Sequence, residues 1–275
     1  MPVPDFIKKY FANPSGEKFV LTFRNNPVLL RIATACMPRH TFYKKATYRI
    51  VNRKGINYQL DLSEWVDWNI YFYNEVEPRE KLFSLIKEGM IVIDIGANMG
   101  EVSLNIANRV RETGKVYSFE PSSTNYKKCF QNILLNEKLK NSIDLNFCAL
   151  GDKSTSAFLK IADKNNLGMN SISDSGEKIE IRKLDDIVAE KNISKIDLIK
   201  LDVEGYELKV LKGAEQCIKK FHPALFIELD DELLKKQGDS SFLLLNWLNE
   251  HNYKIIDPLL STEELVNGHF DIIAQ

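Results

Sequence analysis

The strongest constraint on this chain is a strand, a glycine turn and a helix, followed by a second strand that ends in an acid. Met90 to Ile95 is an apolar run of the kind buried in a parallel sheet, with Asp94 near its end. Gly96-Ala97-Asn98-Met99-Gly100 supplies a tight turn, after which Val102, Leu104, Ile106, Ala107 and Val110 recur with helical spacing. Lys115 to Phe119 reads as the next strand and ends in Glu120-Pro121. Glu120 lies near the offset of about 20 residues at which nucleotide folds place a ribose-gripping acid. Glycine-loop backbone plus such a carboxylate implies an adenosine ligand.

The loop narrows the choice. Dinucleotide folds use G-x-G-x-x-G to bring a helix N-terminus against a pyrophosphate. Here the pattern is D-x-G-x-N-x-G. Asp94 would repel a pyrophosphate but suits the ammonium of a methionyl group. Asn98, in place of a glycine, still tolerates left-handed backbone angles. Taken alone the loop reads equally well as a plain structural turn; with Glu120 it points to S-adenosylmethionine. The rivals are an NAD-dependent sugar-nucleotide oxidoreductase and a non-catalytic module on the same scaffold.

Downstream stand Ile199-Lys200-Leu201-Asp202-Val203-Glu204-Gly205-Tyr206-Glu207 and Leu211-Lys212-Gly213-Ala214. With DIGANMG and FEP, these resemble the FkbM-type family of S-adenosylmethionine-dependent methyltransferases, from about Glu77 to the C-terminus. The resemblance implies a Rossmann-like class I methyltransferase fold and O-methylation of a sugar, glycan or related hydroxyl. It also implies that Ala149 and Leu150 flank the adenine, and it adds Gly96, Ala97, Asn98, Gly100, Glu120 and Pro121 to the cofactor site.

The 275 residues suffice for one large α/β domain at 76–275 behind an N-terminal extension at 1–75. A net charge of −1 argues against a phosphate-neutralising nucleic-acid binder. Cys36, Cys129, Cys148 and Cys217 form no C-x-x-C pair, and the start shows no secretory leader, so the reading is a reducing cytoplasm. Val28 to Met37 is too short to span a bilayer, which takes about 20 residues. It reads as a small packed helix, with a lipid-surface element as the alternative. Phe19–Phe23, Tyr48–Val51 and Tyr58–Leu62 are candidate strands, the last two turning at Lys54-Gly55. Trp65, Trp68, Tyr71, Phe72 and Tyr73 form an aromatic cluster, either core or a stacking wall for a sugar acceptor.

Alternating strands and helices predict a seven-stranded, mostly parallel sheet with an antiparallel last strand. Strands are expected at 90–95, 115–119, 144–149, 197–203, 224–229, 253–256 and 270–274. Helices are expected at 100–111, 124–137, 184–191, 208–220 and 241–251. An inserted hairpin, 157–161 with 178–181, would carry the loop Asp163–Gly176, a lid or a disordered segment. Ligands of such sheets bind beyond the carboxyl ends of the strands, where Asp94, Glu120, Asp202, Glu204 and Glu228 all fall. Lys200, Asp202 and Glu204 alternate, so on a continuous strand they share one face. Asp202 would stabilise the sulfonium, and Glu204 would deprotonate the acceptor with Lys200 and Glu228 nearby. His269 is a second candidate base. Asp202, Glu204, Glu228, Asp230 and Asp231 offer oxygen ligands for a divalent metal, which stays unassigned, as does the oligomeric state.

Overall fold

The computed structural model describes residues 3–24, 26, 28–44, 46–73, 79–160, 171–266 and 268–275. The chain divides into two compact units, one built on Met1–Pro78 and the other on Arg79–Ala162 and Gly168–Gln275. The boundary expected after residue 75 falls on 74–78, outside the described residues.

The N-terminal unit runs α1 (Asp5–Tyr10), α2 (Pro14–Arg24), α3 (Leu30–Cys36), β1 (Tyr48–Arg53), β2 (Ile56–Asp61) and α4 (Trp65–Tyr73). β1 and β2 pair as the expected hairpin, Arg53 opposite Ile56 across the Lys54-Gly55 turn. Phe19–Phe23, expected as a strand, lies inside α2. The overlooked signal is Asn13-Pro14. Asn13 Oδ1 accepts from the Ser15 and Gly16 amides, and proline suits the first helical position. Glu17 and Val20 then turn inward. Fully buried Glu17 takes two bonds from the Arg49 guanidinium (2.8 and 2.9 Å) and one from the Tyr71 hydroxyl (3.1 Å). This locks α2, β1 and α4 together.

The second unit begins with α5 (Glu80–Ser84) and β3 (Ile91–Ile95). There follow α6 (Glu101–Val110), β4 (Lys115–Phe119), α7 (Ser123–Leu134), β5 (Ile143–Asn146), β6 (Ala149–Leu150), β7 (Thr155–Lys160), β8 (Ser171–Ser173) and β9 (Glu177–Arg182). The remainder is α8 (Leu184–Glu190), β10 (Leu198–Leu201), α9 (Glu207–Gly213), α10 (Glu215–Phe221), β11 (Ala224–Asp230), α11 (Asp231–Lys236), α12 (Ser241–Glu250), β12 (Ile255–Asp257), α13 (Thr262–Val266) and β13 (His269–Ala274). Seven strands form one sheet in the order β12-β13-β11-β10-β3-β4-β5. β10, β3, β4, β5 and β11 run parallel, while β13 pairs antiparallel with β11 and β12. This is the doubly wound, Rossmann-like α/β arrangement with its antiparallel last strand.

Three differences from the sequence reading have local causes. The strand expected at 144–149 stops at Asn146, and Ala149–Leu150 leaves the sheet to pair with β9 in a separate four-stranded sheet. That sheet contains the expected hairpin, β7 against β9, and the added β8. Most of the Asp163–Gly176 loop lies outside the described residues. The helix expected at 208–220 breaks at Ala214, whose backbone (φ −112°, ψ 10°) leaves the helical region, just after Gly213, where an added Cβ would sit 1.9 Å from the Gly151 carbonyl oxygen. The strand expected through Val203 ends at Leu201.

Candidate active site at the carboxyl ends of the strands

The glycine turn is built as its composition requires. Gly96 and Gly100 have φ of 82° and 88°, and Asn98 adopts 49°, the left-handed region it tolerates. At Gly96 a Cβ would lie 1.9 Å from the Asp202 carbonyl oxygen, so only glycine lets the turn pass beside β10. The Gly96 and Ala97 amides donate to the Phe119 carbonyl, tying the loop to the end of β4. Gly96 and Asn98 stay partly exposed, whereas Ala97 and Gly100 are buried.

Glu120 sits just past β4, only 5% exposed. Its two oxygens accept from the Asn98 amide at 2.8 Å and the Ser122 amide at 2.9 Å. Burial pushes its carboxyl up to about 7, against the pull of those amides and of Lys200. The turn and the acid expected to act together are therefore directly bonded. Each oxygen keeps a lone pair that a hydroxyl could use, and Pro121, partly exposed, follows.

Asp94 departs from expectation. It is fully buried, accepts from Ser103 Oγ at 2.5 Å, and lies 3.4 Å from Lys200 Nζ. The cause is register: β10 pairs with β3 so that Lys200 stands opposite Asp94. A carboxylate neutralised inside the fold cannot meet a ligand's ammonium, so Asp94 supports the loop from beneath. Lys200 is 1% exposed and also donates to the Gly96 carbonyl at 2.9 Å, and it lies 3.3 Å from Asp202. It positions the glycine turn and Asp202 and has no access to an acceptor. Leu150, 2% exposed, belongs to the main core and Ala149 is buried. Half-exposed Phe147, just past the end of β5, packs on Tyr126 with ring centroids 4.9 Å apart.

Around β10 and β11 the acids face one another. Asp202, partly exposed, is contacted by Arg79 at 3.4 Å as well as by Lys200. Burial opposes its ionisation, but Lys200 and Arg79 outweigh it and hold the carboxyl low. Glu228 is pushed well up, first by burial and then by Asp202, Glu204 and Glu207. Its Oε2 is buried and has no hydrogen-bond partner, a setting in which the neutral acid is favoured over the carboxylate. Glu204 does not share a strand face with Lys200 and Asp202. The strand has ended, and Glu204 occupies a left-handed turn at φ 55°. Burial, then Asp202, Glu207 and Asp230, push its carboxyl up to about 7. Glu207, fully buried, holds that turn by accepting from the Val203 and Gly205 amides. His269 pairs in register with Asp230, its Nδ1 3.0 Å from Asp230 Oδ2 and its Nε2 3.5 Å from Glu228 Oε1. It is 60% exposed, at the active edge, because β13 runs antiparallel.

Arg79 and Phe147 have no sequence signature of their own, and Glu207 stands in the quoted motif without a role read for it. Asp231 turns away, accepting from the Ser241 amide and pairing with Lys235. Among the described residues no group of three or more His, Cys, Asp or Glu is placed to hold a metal.

With this geometry in hand, residues 94–255 match the family model described as the methyltransferase FkbM domain. The chain belongs to the FkbM methyltransferase family. Its relatives include methyltransferase sdnD of Sordaria araneosa, 27% identical over 46% of this chain and 60% of that protein. Another is the 31-O-demethyl-FK506 methyltransferase FkbM of Streptomyces tacrolimicus, 28% identical over 48% of this chain and 62% of that one. The chain thus spans less than two thirds of the length of these family relatives. A solved FkbM methyltransferase from Methylobacillus flagellatus aligns at 18% identity with a TM-score of 0.46, covering 75% of this chain and 51% of that one.

Proposed function

We propose that the protein transfers a methyl group from S-adenosylmethionine to a hydroxyl of a sugar, glycan or related metabolite. The observation that carries this reading is the bond between Glu120 and the Asn98 amide, which joins a ribose-binding acid to the glycine turn at the ligand-binding edge of the sheet. Family membership supports methyl transfer, and one relative is named a 31-O-demethyl-FK506 methyltransferase.

In this reading Glu120 takes the ribose hydroxyls, the Gly96–Gly100 turn approaches the ligand through backbone, and Phe147 with Tyr126 offers an aromatic wall for adenine. The cofactor, when bound, supplies an electrophilic methyl on a sulfonium. Asp202, held ionised by Lys200 and Arg79, provides negative charge beside that sulfonium. Glu204 accepts the acceptor's proton. A carboxyl near 7 is a far better base at neutral pH than an ordinary one, and activity would rise as pH climbs through about 7. Asp202, held low by Lys200 and Arg79, is too weak a base to share that role. The N-terminal unit, outside the 94–255 match, is assigned acceptor selection and the cytoplasm is the assigned location. Trp68 within it donates to the Pro38 carbonyl at 2.9 Å and packs on Phe72, which favours the core reading of the aromatic cluster.

The test is incubation with isotopically methyl-labelled S-adenosylmethionine and extracted glycans and glycolipids, read by mass spectrometry. A labelled methyl on a hydroxyl product supports the reading. Equilibrium binding of NAD but not S-adenosylmethionine would overturn it in favour of the oxidoreductase.

A further inference from the structure

The first three helices carry a face that the methyl-transfer reading does not use. Phe6 and Tyr10 lie one turn apart on α1 and are 74% and 79% exposed. Val28, in the turn before α3, and Ile32, within α3, are 83% and 54% exposed. From Tyr10 a series of ring contacts runs onto α2: Tyr10 to Phe11 (6.1 Å), Phe11 to Phe19 (5.5 Å) and Phe19 to Phe23 (4.5 Å). Of the run Val28–Met37, α3 covers Leu30–Cys36; it buries Ala33 while leaving Leu30 and Ile32 exposed. Water-facing aromatics in this number are not explained by core packing.

Charge identifies what the face suits. Residues 1–78 hold eleven Lys and Arg against seven Asp and Glu, a surplus of four in a chain whose net charge is −1. From residue 3 to 44 the acids are Asp5 and Glu17. Both are spoken for, Asp5 by Arg39 at 3.1 Å and Glu17 by Arg49 at 2.8 Å. Lys8, Lys9, Lys18 and Arg31 interleave with the aromatics and pair with no carboxylate among the described residues. Among the described residues no helix is long and apolar enough to cross a bilayer. Exposed aromatics that can enter the headgroup zone, flanked by unpaired cations, are the composition of a helix face that lies on an anionic membrane.

We propose that α1, α2 and the start of α3 dock the protein on an anionic phospholipid surface, with Phe6, Tyr10, Val28 and Ile32 inserted and Lys8, Lys9, Lys18 and Arg31 against the headgroups. This surface is independent of the methyl-transfer reading, since none of its residues belongs to the site around Glu120 and Asp202.

The experiment is co-sedimentation of the full chain with vesicles of phosphatidylcholine, with and without phosphatidylglycerol. Expected is binding to the mixed vesicles only, released by high salt. Two variants divide the contribution: Lys8→Glu/Lys9→Glu/Lys18→Glu/Arg31→Glu should lower partitioning by more than about tenfold. Phe6→Ser/Tyr10→Ser should lower it by roughly tenfold while keeping the preference for anionic lipid. All substituted side chains are partly or fully exposed, and an unchanged thermal transition verifies folding; should the charge reversal fail to fold, salt release of the wild type decides. Equal partitioning to both vesicles, no binding to either, or unaltered binding by both variants would overturn the proposal. A concentration-dependent dimer lost in Phe6→Ser/Tyr10→Ser would also overturn it, assigning the face to a second copy.

Discussion

Two ends of one sheet edge treat their acids in opposite ways. At β3 and β4 each carboxylate has its own donors, Asp94 the Ser103 hydroxyl with Lys200 3.4 Å away and Glu120 two backbone amides, and burial raises Glu120 to about 7. At β10 and β11 the acids confront each other, and Glu204 and Glu228 are driven up by burial and by their neighbours' charge. Matched carboxylates hold geometry, whereas crowded ones exchange protons. In the proposed reading the first set serves the cofactor and the second the acceptor. Lys200 is the hinge between them, touching Asp94 on one side and Asp202 on the other.

That central role predicts the largest effect. Lys200→Met leaves Asp94 buried without its cation and should cost roughly 3–5 kcal/mol of stability, measured by denaturant unfolding. A loss under 1 kcal/mol, at a level typical of an exposed pair, would mean that the two halves are not coupled through this side chain. Next in size, Glu204→Gln should leave S-adenosylmethionine affinity intact and lower turnover by about a hundredfold. Wild-type turnover in that variant would move the proton to His269, whose Nδ1 is already oriented by Asp230.

The smallest effect separates charge from hydrogen bonding at Glu207. Its carboxyl is pushed up to about 7, chiefly by burial, above its ordinary value of 4.5. A raised acid favours the folded state below its ordinary value, and that advantage is lost as pH rises through 7. Wild-type stability should therefore fall between about pH 4.5 and 7. Glu207→Gln, which keeps an acceptor for the Val203 and Gly205 amides, should flatten that slope without changing cofactor affinity. An unchanged slope would show that Glu120 and Glu204, also near 7, carry it.

The matched half was the legible one. Period-two and continuous apolar runs, glycines at forced backbone angles and a strand-ending acid are local signals, and they located β3, β4 and the Asn98 turn. The crowded half depends on where chains end and which strands lie side by side. Leu201 closes β10 two residues early, so Glu204 leaves the face assumed for it. Asp94 was read toward the ligand because alternation does not reveal that Lys200 stands opposite it. Ala149 and Leu150 moved for a similar reason: β9, distant in sequence, captures them. In the N-terminal unit an Asn-Pro helix start outweighed the β-propensity of Phe19 and Val20.

The central claim is that Glu120 and the glycine turn together bind S-adenosylmethionine, and calorimetric titration of the wild type and Glu120→Ala tests it most directly. The account predicts measurable binding to the wild type, none of NAD, and a loss of about 1.5–3 kcal/mol in the variant, the worth of charged hydrogen bonds. Unchanged affinity in a folded Glu120→Ala protein would contradict it.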